Sequence, residues 1–191
     1  SRVKSLDVET RWSNASVPGT PSEPLPTDPS WAGGSLYVDH REYVSDDSVE
    51  DIWQRVEAIG GSNGYSTATW AWEVRGLMDR MVGGVGLRRG RRDPNTLMEG
   101  EALDFWRVEK IDRPKLLRLR AEMKLPGLAW LEFQVSKLED GRSLLSQKAY
   151  YHPHGLFGHV YWWLVAFMHG IVFPSMAKKL SGGKARKVSN S

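Results

Sequence analysis

A chain of 191 residues, 40% of them hydrophobic, is long enough to bury the core of one domain. It contains no cysteine, which excludes a disulfide scaffold and a thiolate metal site and fits a reducing, cytoplasmic setting. The net charge is +3, but Lys178, Lys179, Lys184, Arg186 and Lys187 lie in an acid-free tail, and removing those five leaves −2; the body is not the basic surface that a nucleic acid requires.

No basic-plus-apolar leader opens the chain, so no signal peptide is expected. The Asn14-Ala15-Ser16 sequon then carries no meaning. Residues 1–31 read as an extended arm, because five of the ten prolines fall between Pro18 and Pro29. Residues 35–44 (SLYVDHREYV) alternate as a first strand. Ser48 is placed to cap a helix over 49–59, with Asp51 in the capping-box position. That helix would bury Ile52, Trp53, Val56 and Ile59, and GGSNG (60–64) would end it. Residues 67–82 form a second helix candidate, although Thr67, Thr69, Trp70 and Trp72 would equally begin a strand. A polar, arginine-rich connection follows over 87–100, with room for one short strand.

Four strand-like runs come next, at 103–111, 116–125, 128–138 and 144–151. Pro126-Gly127 marks a hairpin turn between the second and third. If Glu122 pairs with Trp130, then Arg120 faces Glu132 and Arg118 faces Gln134. Leu117, Leu119, Ala121 and Met123 would share an apolar face with Ala129, Leu131, Phe133 and Val135. Residues 155–177 form one long helix, apolar nearly all round, and a cover for that face. His159, His169, Gly158, Gly170 and Pro174 argue against a transmembrane segment. A peripheral membrane contact would use the basic tail.

The order strand, helix, helix, several strands, long helix resembles the helix-grip architecture of the START and Bet v 1-like superfamily. This is an α+β fold in which a curved antiparallel sheet grips a C-terminal helix, commonly with a cavity between them. The domain would span 32–180, with 181–191 a basic flexible tail.

Several motifs sharpen the resemblance: WEVRGLMDR (72–80), GGVGLRRGRR (83–92), LDFWRVE (103–109), AEMKLPG (121–127) and YWW (161–163). Together, over residues 8–179, they resemble an uncharacterised bacterial domain that follows a short-chain-dehydrogenase-like Rossmann domain. Such two-domain proteins are labelled predicted nucleoside-diphosphate-sugar epimerases or NAD(P)-binding proteins. The resemblance implies that VETRWS (8–13) leaves an absent Rossmann half of the same parent chain. NAD(P) would belong to that half, with no cofactor in this chain. No catalytic residue is implied.

Gly84-Val85-Gly86 is not a dinucleotide loop, because Arg89 stands where the third glycine belongs and the segment closes a helix. Arg88, Arg89, Arg91 and Arg92 would clamp an anion, pair with Asp93, Glu99 and Asp104, or dock the Rossmann half. Arg75 and Asp79 stand one helical turn apart, as a ligand-orienting pair or a plain ion pair. Asp104, Arg120, Glu122 and Glu132, with Trp106 and Trp130 beside them, would form a polar patch on one sheet face: acid–base groups if that face is concave, surface ladders if convex. His152-Pro153-His154 has the spacing of a metal pair, but two histidines do not make a site, and His159 and His169 do not align on their helix.

The candidate ligand-binding set is Trp72, Arg75, Asp79, Arg88, Trp106, Met123, Phe133, Tyr161, Trp162 and Phe167. Aromatics are core by default, but several on one helix also leave room for an apolar ligand. Three functions remain open: a binding module for a hydrophobic or amphipathic small molecule, a catalytic accessory domain using the pocket Arg, Asp and Glu residues, and a docking or oligomerisation domain.

Overall fold

A computed structural model describes residues 36–64, 91–122, 125–182 and 186–188. The arm at 1–31, the helix candidate at 67–82, the Gly84–Gly86 segment and the candidates Trp72, Arg75, Asp79, Arg88 and Met123 lie outside the described residues, as do the side chains of Phe167 and His169.

Among the described residues, seven strands form one antiparallel sheet in the order β2-β3-β4-β5-β6-β1-β7. They are β1 (Tyr37–Ser45), β2 (Ala102–Leu103), β3 (Trp106–Asp112), β4 (Leu116–Ala121), β5 (Gly127–Lys137), β6 (Ser143–Pro153) and β7 (Arg186–Lys187). Two helices, α1 (Val49–Glu57) and α2 (Gly155–Leu180), pack on one face. This is the expected α+β helix-grip arrangement, a curved antiparallel sheet around the C-terminal helix. No helix among the described residues is long and apolar enough to cross a membrane.

The capping box forms as expected: the Ser48 hydroxyl accepts from Asp51 N–H at 3.1 Å and donates to its carboxylate at 2.7 Å. Ile52, Trp53, Val56 and Ile59 enter the core with Leu117, Leu119, Leu131, Phe133 and Val135. The last half of α2 closes that core with Val172, Phe173, Met176 and Leu180. Each such side chain, fully buried, contributes roughly 1.5–3 kcal/mol. Gly182 (φ 93°) ends α2, and a Cβ there would meet the Asp47 carboxylate at 2.2 Å. Arg55 bonds both that carboxylate (2.6 Å) and Leu180 C=O (2.7 Å), tying α1 to the end of α2.

Three expectations are corrected. The strand at 103–111 is broken by a tight turn at Asp104 and Phe105, with Asp104 at φ 54°; aspartate tolerates this left-handed conformation, and its carboxylate is used to accept from Gly61 N–H at 2.8 Å. The β4–β5 register lies two residues from the expected one: Arg120 faces Trp130, Arg118 faces Glu132, and Leu116 faces Gln134. The cause is that Gly127, Leu128 and Ala129 pair with β6 and Glu122 N–H bonds Phe105 C=O, so the chain at Pro126 is pulled away from β4. Finally, α2 is not buried all round. Its first half exposes Leu156 (77%), Phe157 (83%), Trp163 (71%) and Leu164 (71%).

Residues 91–100 hold no strand. Arg91 donates to the carbonyls of Glu57, Ile59 and Thr96, capping the end of α1, and Arg92 pairs with Glu101 at 2.9 Å. Part of the expected tail is ordered as β7, opposite Tyr43 and Val44.

Candidate functional site

Strand alternation decides which side chains meet α2. On β1, Tyr37, Asp39, Arg41 and Tyr43 share one face; on β6 their partners are Tyr151, Ala149, Gln147 and Leu145. β6 in turn places Ala149 opposite Leu131 and Gln147 opposite Phe133, so all of these belong to the face that carries the core.

The first half of α2 meets this face through an aromatic clamp. Trp162 stacks on Tyr37 (4.9 Å, 11°) and on Tyr151 (5.7 Å, 9°), and Tyr161 leans on Tyr151 at 5.7 Å. Tyr37 Oη lies 2.9 Å from His159 Nδ1, and the Tyr151 hydroxyl donates to Pro126 C=O at 2.9 Å. Gly158 permits the close approach: a Cβ there would lie 2.5 Å from Pro126 C=O and 2.7 Å from the Pro153 ring. Tyr161 and Trp162 remain half-buried, so the clamp keeps one open side.

Further along β1 and β6 the same face turns polar. Arg41 donates to Asp39 at 2.8 Å, with both side chains more than four-fifths buried. Gln147 is 1% exposed, and neither its amide oxygen nor its nitrogen has a hydrogen-bond partner; the Nε of Arg41 is also buried without one. Mostly aromatic walls with a few convergent polar groups are what a small-molecule site requires.

Of the expected ligand residues, the structure brings Tyr161 and Trp162 into this clamp. Trp106 and Phe133 lie on the same sheet face but in the closed core, 4% and 0% exposed. The polar patch is dispersed. Asp104 sits at the β2–β3 turn, bonded to Gly61. Glu122 receives a two-pronged bond from Arg107 at 2.8 and 3.0 Å. Glu132 lies on the face away from α2, bonded by Arg118 (2.7 Å) and Gln134 (3.0 Å). Arg120 shares that outer face but stands opposite Trp130. Burial and the nearby Glu132 charge raise the Tyr150 phenol above its usual pKa, holding it protonated on the same face. His152 and His154 stand edge to face at 5.5 Å. Among the described residues no cluster of three potential ligands could hold a metal.

Tyr37, Asp39, Arg41, Gln147 and Tyr151 were not singled out from the sequence. The available signal was alternation in β1 and β6, but β1 is polar on both faces, and only the pairing with β6 shows which face turns inward.

A family model described as "Protein of unknown function (DUF2867)" matches residues 31–176. The chain belongs to that family. No curated protein matches it. Among solved structures, the DUF2867 chain is similar to CalU16 from Micromonospora echinospora, with 12% identity over 77% of this chain and 74% of that one and a TM-score of 0.42. It is also similar to a truncated norcoclaurine synthase from Thalictrum flavum, with 14% identity over 78% and 95% of the two chains and a TM-score of 0.45. Likenesses this distant assign neither a ligand nor a reaction to the DUF2867 chain.

Proposed function

We propose that this domain binds a hydrophobic or amphipathic small molecule between the first half of α2 and strands β1 and β6. The observation that carries the reading is the contrast along α2. Its second half buries an apolar side completely, with Met176 and Ala177 at 0% exposure, whereas its first half meets the sheet through half-buried aromatics, on a sheet face that turns polar at Asp39, Arg41 and Gln147. A helix bound only for the core would bury its inward side completely along its length. Titrating the chain with a panel of fatty acids, polyketides and quinones, with tryptophan fluorescence as readout, tests it. Saturable quenching by one class, reduced in Trp162→Ala, is expected; a flat response to every class defeats the reading.

The resemblance noted from the sequence implies a parent in which this domain would follow a Rossmann domain, in an NAD(P)-dependent epimerase- or reductase-like protein. In that setting the bound molecule would be presented to the nucleotide-binding half. The catalytic-accessory alternative finds less support, because Asp104, Glu122 and Glu132 each serve a separate local partner.

One observation favours a second reading, docking or self-association. Leu156, Phe157, Val160, Trp163 and Leu164 are all exposed, and their spacing places them along one side of α2. Sedimentation velocity over a range of concentrations tests it. A concentration-dependent dimer abolished by Trp163→Glu supports self-association, and a monomer at every concentration removes it.

A further inference from the structure

Gln147 and Arg41 are directly paired across β6 and β1 on the face that meets α2. Side chains so paired have Cβ atoms about 4.5–5.5 Å apart. The unpartnered Gln147 Oε1, Gln147 Nε2 and Arg41 Nε therefore gather at one place on the same sheet face as the Tyr37–Trp162–Tyr151 clamp, with the Asp39–Ala149 pair between the two. A buried amide left unbonded weakens a fold, and a leucine of similar shape would fill the position without that loss. The three atoms make a defined reading head: N–H donors from Arg41 and Gln147, and one carbonyl acceptor.

Charge narrows what this head accepts. The Arg41 guanidinium already faces the Asp39 carboxylate at 2.8 Å. Its charge is matched, so an incoming carboxylate or phosphate would find no free cation and would lie near Asp39, at the expense of its own hydration.

We propose that Arg41 and Gln147 recognise an uncharged carbonyl that carries a neighbouring hydroxyl or N–H on an otherwise apolar ligand. The ligand carbonyl accepts from Arg41 Nε–H and a Gln147 amide N–H, while its hydroxyl or N–H donates to Gln147 Oε1. The apolar remainder runs along Trp162. This rests on the ligand-binding reading above and adds the chemical class of the ligand.

Equilibrium dialysis with three probes of one ring system tests the assignment: naphthalene, a naphthyl methyl ketone with an adjacent hydroxyl, and the corresponding hydroxynaphthoate. The protein should bind the hydroxyketone at least about tenfold more tightly than naphthalene, the gain expected from two or three hydrogen bonds, and more tightly than the carboxylate. Gln147→Leu should bring the ketone-to-naphthalene ratio close to one, with a Tm equal to or above that of the parent. A ratio unchanged in Gln147→Leu, a preference for the carboxylate, or a lowered Tm with the ratio retained (bound water satisfying the amide) overturns the assignment. Naphthalene binding with no ketone preference in the parent protein removes the head-group class and leaves the binding site standing. Failure of all three probes removes both.

Discussion

Glu57 shows how one side chain organises a region. It is 6% exposed, and its carboxylate accepts from Trp53 Nε1 (2.8 Å), Leu97 N–H (3.0 Å) and the Arg113 guanidinium. Burial pushes its pKa up, but the Arg113 bond, the Leu97 amide and the Trp53 indole together outweigh burial and hold it below the ordinary 4.5. The native state thus binds fewer protons at Glu57 than the unfolded chain. The stabilisation is complete above about pH 4.5 and is lost as pH falls through the lower folded value. Glu57→Gln should cost about 1.5–3 kcal/mol at pH 7, toward the low end because the Arg113 side chain is 49% exposed. Urea unfolding at pH 7 and again below pH 4 should show the gap between the two proteins narrowing. A constant gap would mean that the charge is not what matters. At Gly158 the constraint is steric: with backbone 2.5 Å from any added Cβ, Gly158→Ala should destabilise by about 1–3 kcal/mol. A Tm unchanged from the parent would show that α2 can lift off Pro126 freely.

At the scale of elements, α2 is two helices in one. Its sequence is apolar nearly all round up to Ala177, so periodicity gave no hint of where burial stops; the difference comes from what lies opposite each turn. Val172, Phe173, Met176 and Leu180 belong to the core shared with α1 and the sheet, whereas Leu156 and Leu164 are largely exposed. Met176→Ala should cost about 2–5 kcal/mol and Leu164→Ala within about 0.5 kcal/mol, both from denaturant midpoints. Equal costs would refute the division. Strand existence and the apolar faces of β4 and β5 were legible from alternation, as was the α1 cap from Ser48 and Asp51. The β4–β5 register was not, because the Pro126-Gly127 signal marks a bend without saying which neighbour Gly127 joins, and that choice is made by β6. The turn at Asp104 was hidden in the same way, its only clue being one aspartate in an otherwise strand-like run.

For the molecule as a whole, the sequence order of elements was enough to name the helix-grip arrangement, since a meander with one apolar face needs a helix to cover it. The candidate site was less legible. Tyr161 and Trp162 stood out as aromatics on the last helix, but Tyr37, Arg41 and Gln147 come from strands separated by about a hundred residues, and nothing local marks them as neighbours. A bound ligand stabilises only the native state, so a cognate molecule at a hundred times its Kd should add about 2.7 kcal/mol and raise Tm accordingly. Scanning calorimetry with and without the best quencher from the panel checks this, and an unshifted transition would show that the quenching arose outside the folded site.

The position of β1 between β6 and β7 also governs how the chain is made. During synthesis β1 leaves the ribosome first, yet its hydrogen-bonding neighbour at Ser143–Pro153 is translated only after some hundred further residues, a delay on the order of 5–20 s. Through that interval the nascent strand offers bare edge amides to any passing chain. Long-range pairing of this kind makes refolding slow as well, and the alternating charges of Asp39, Arg41 and Glu42 then act as guards against mispairing while β1 waits.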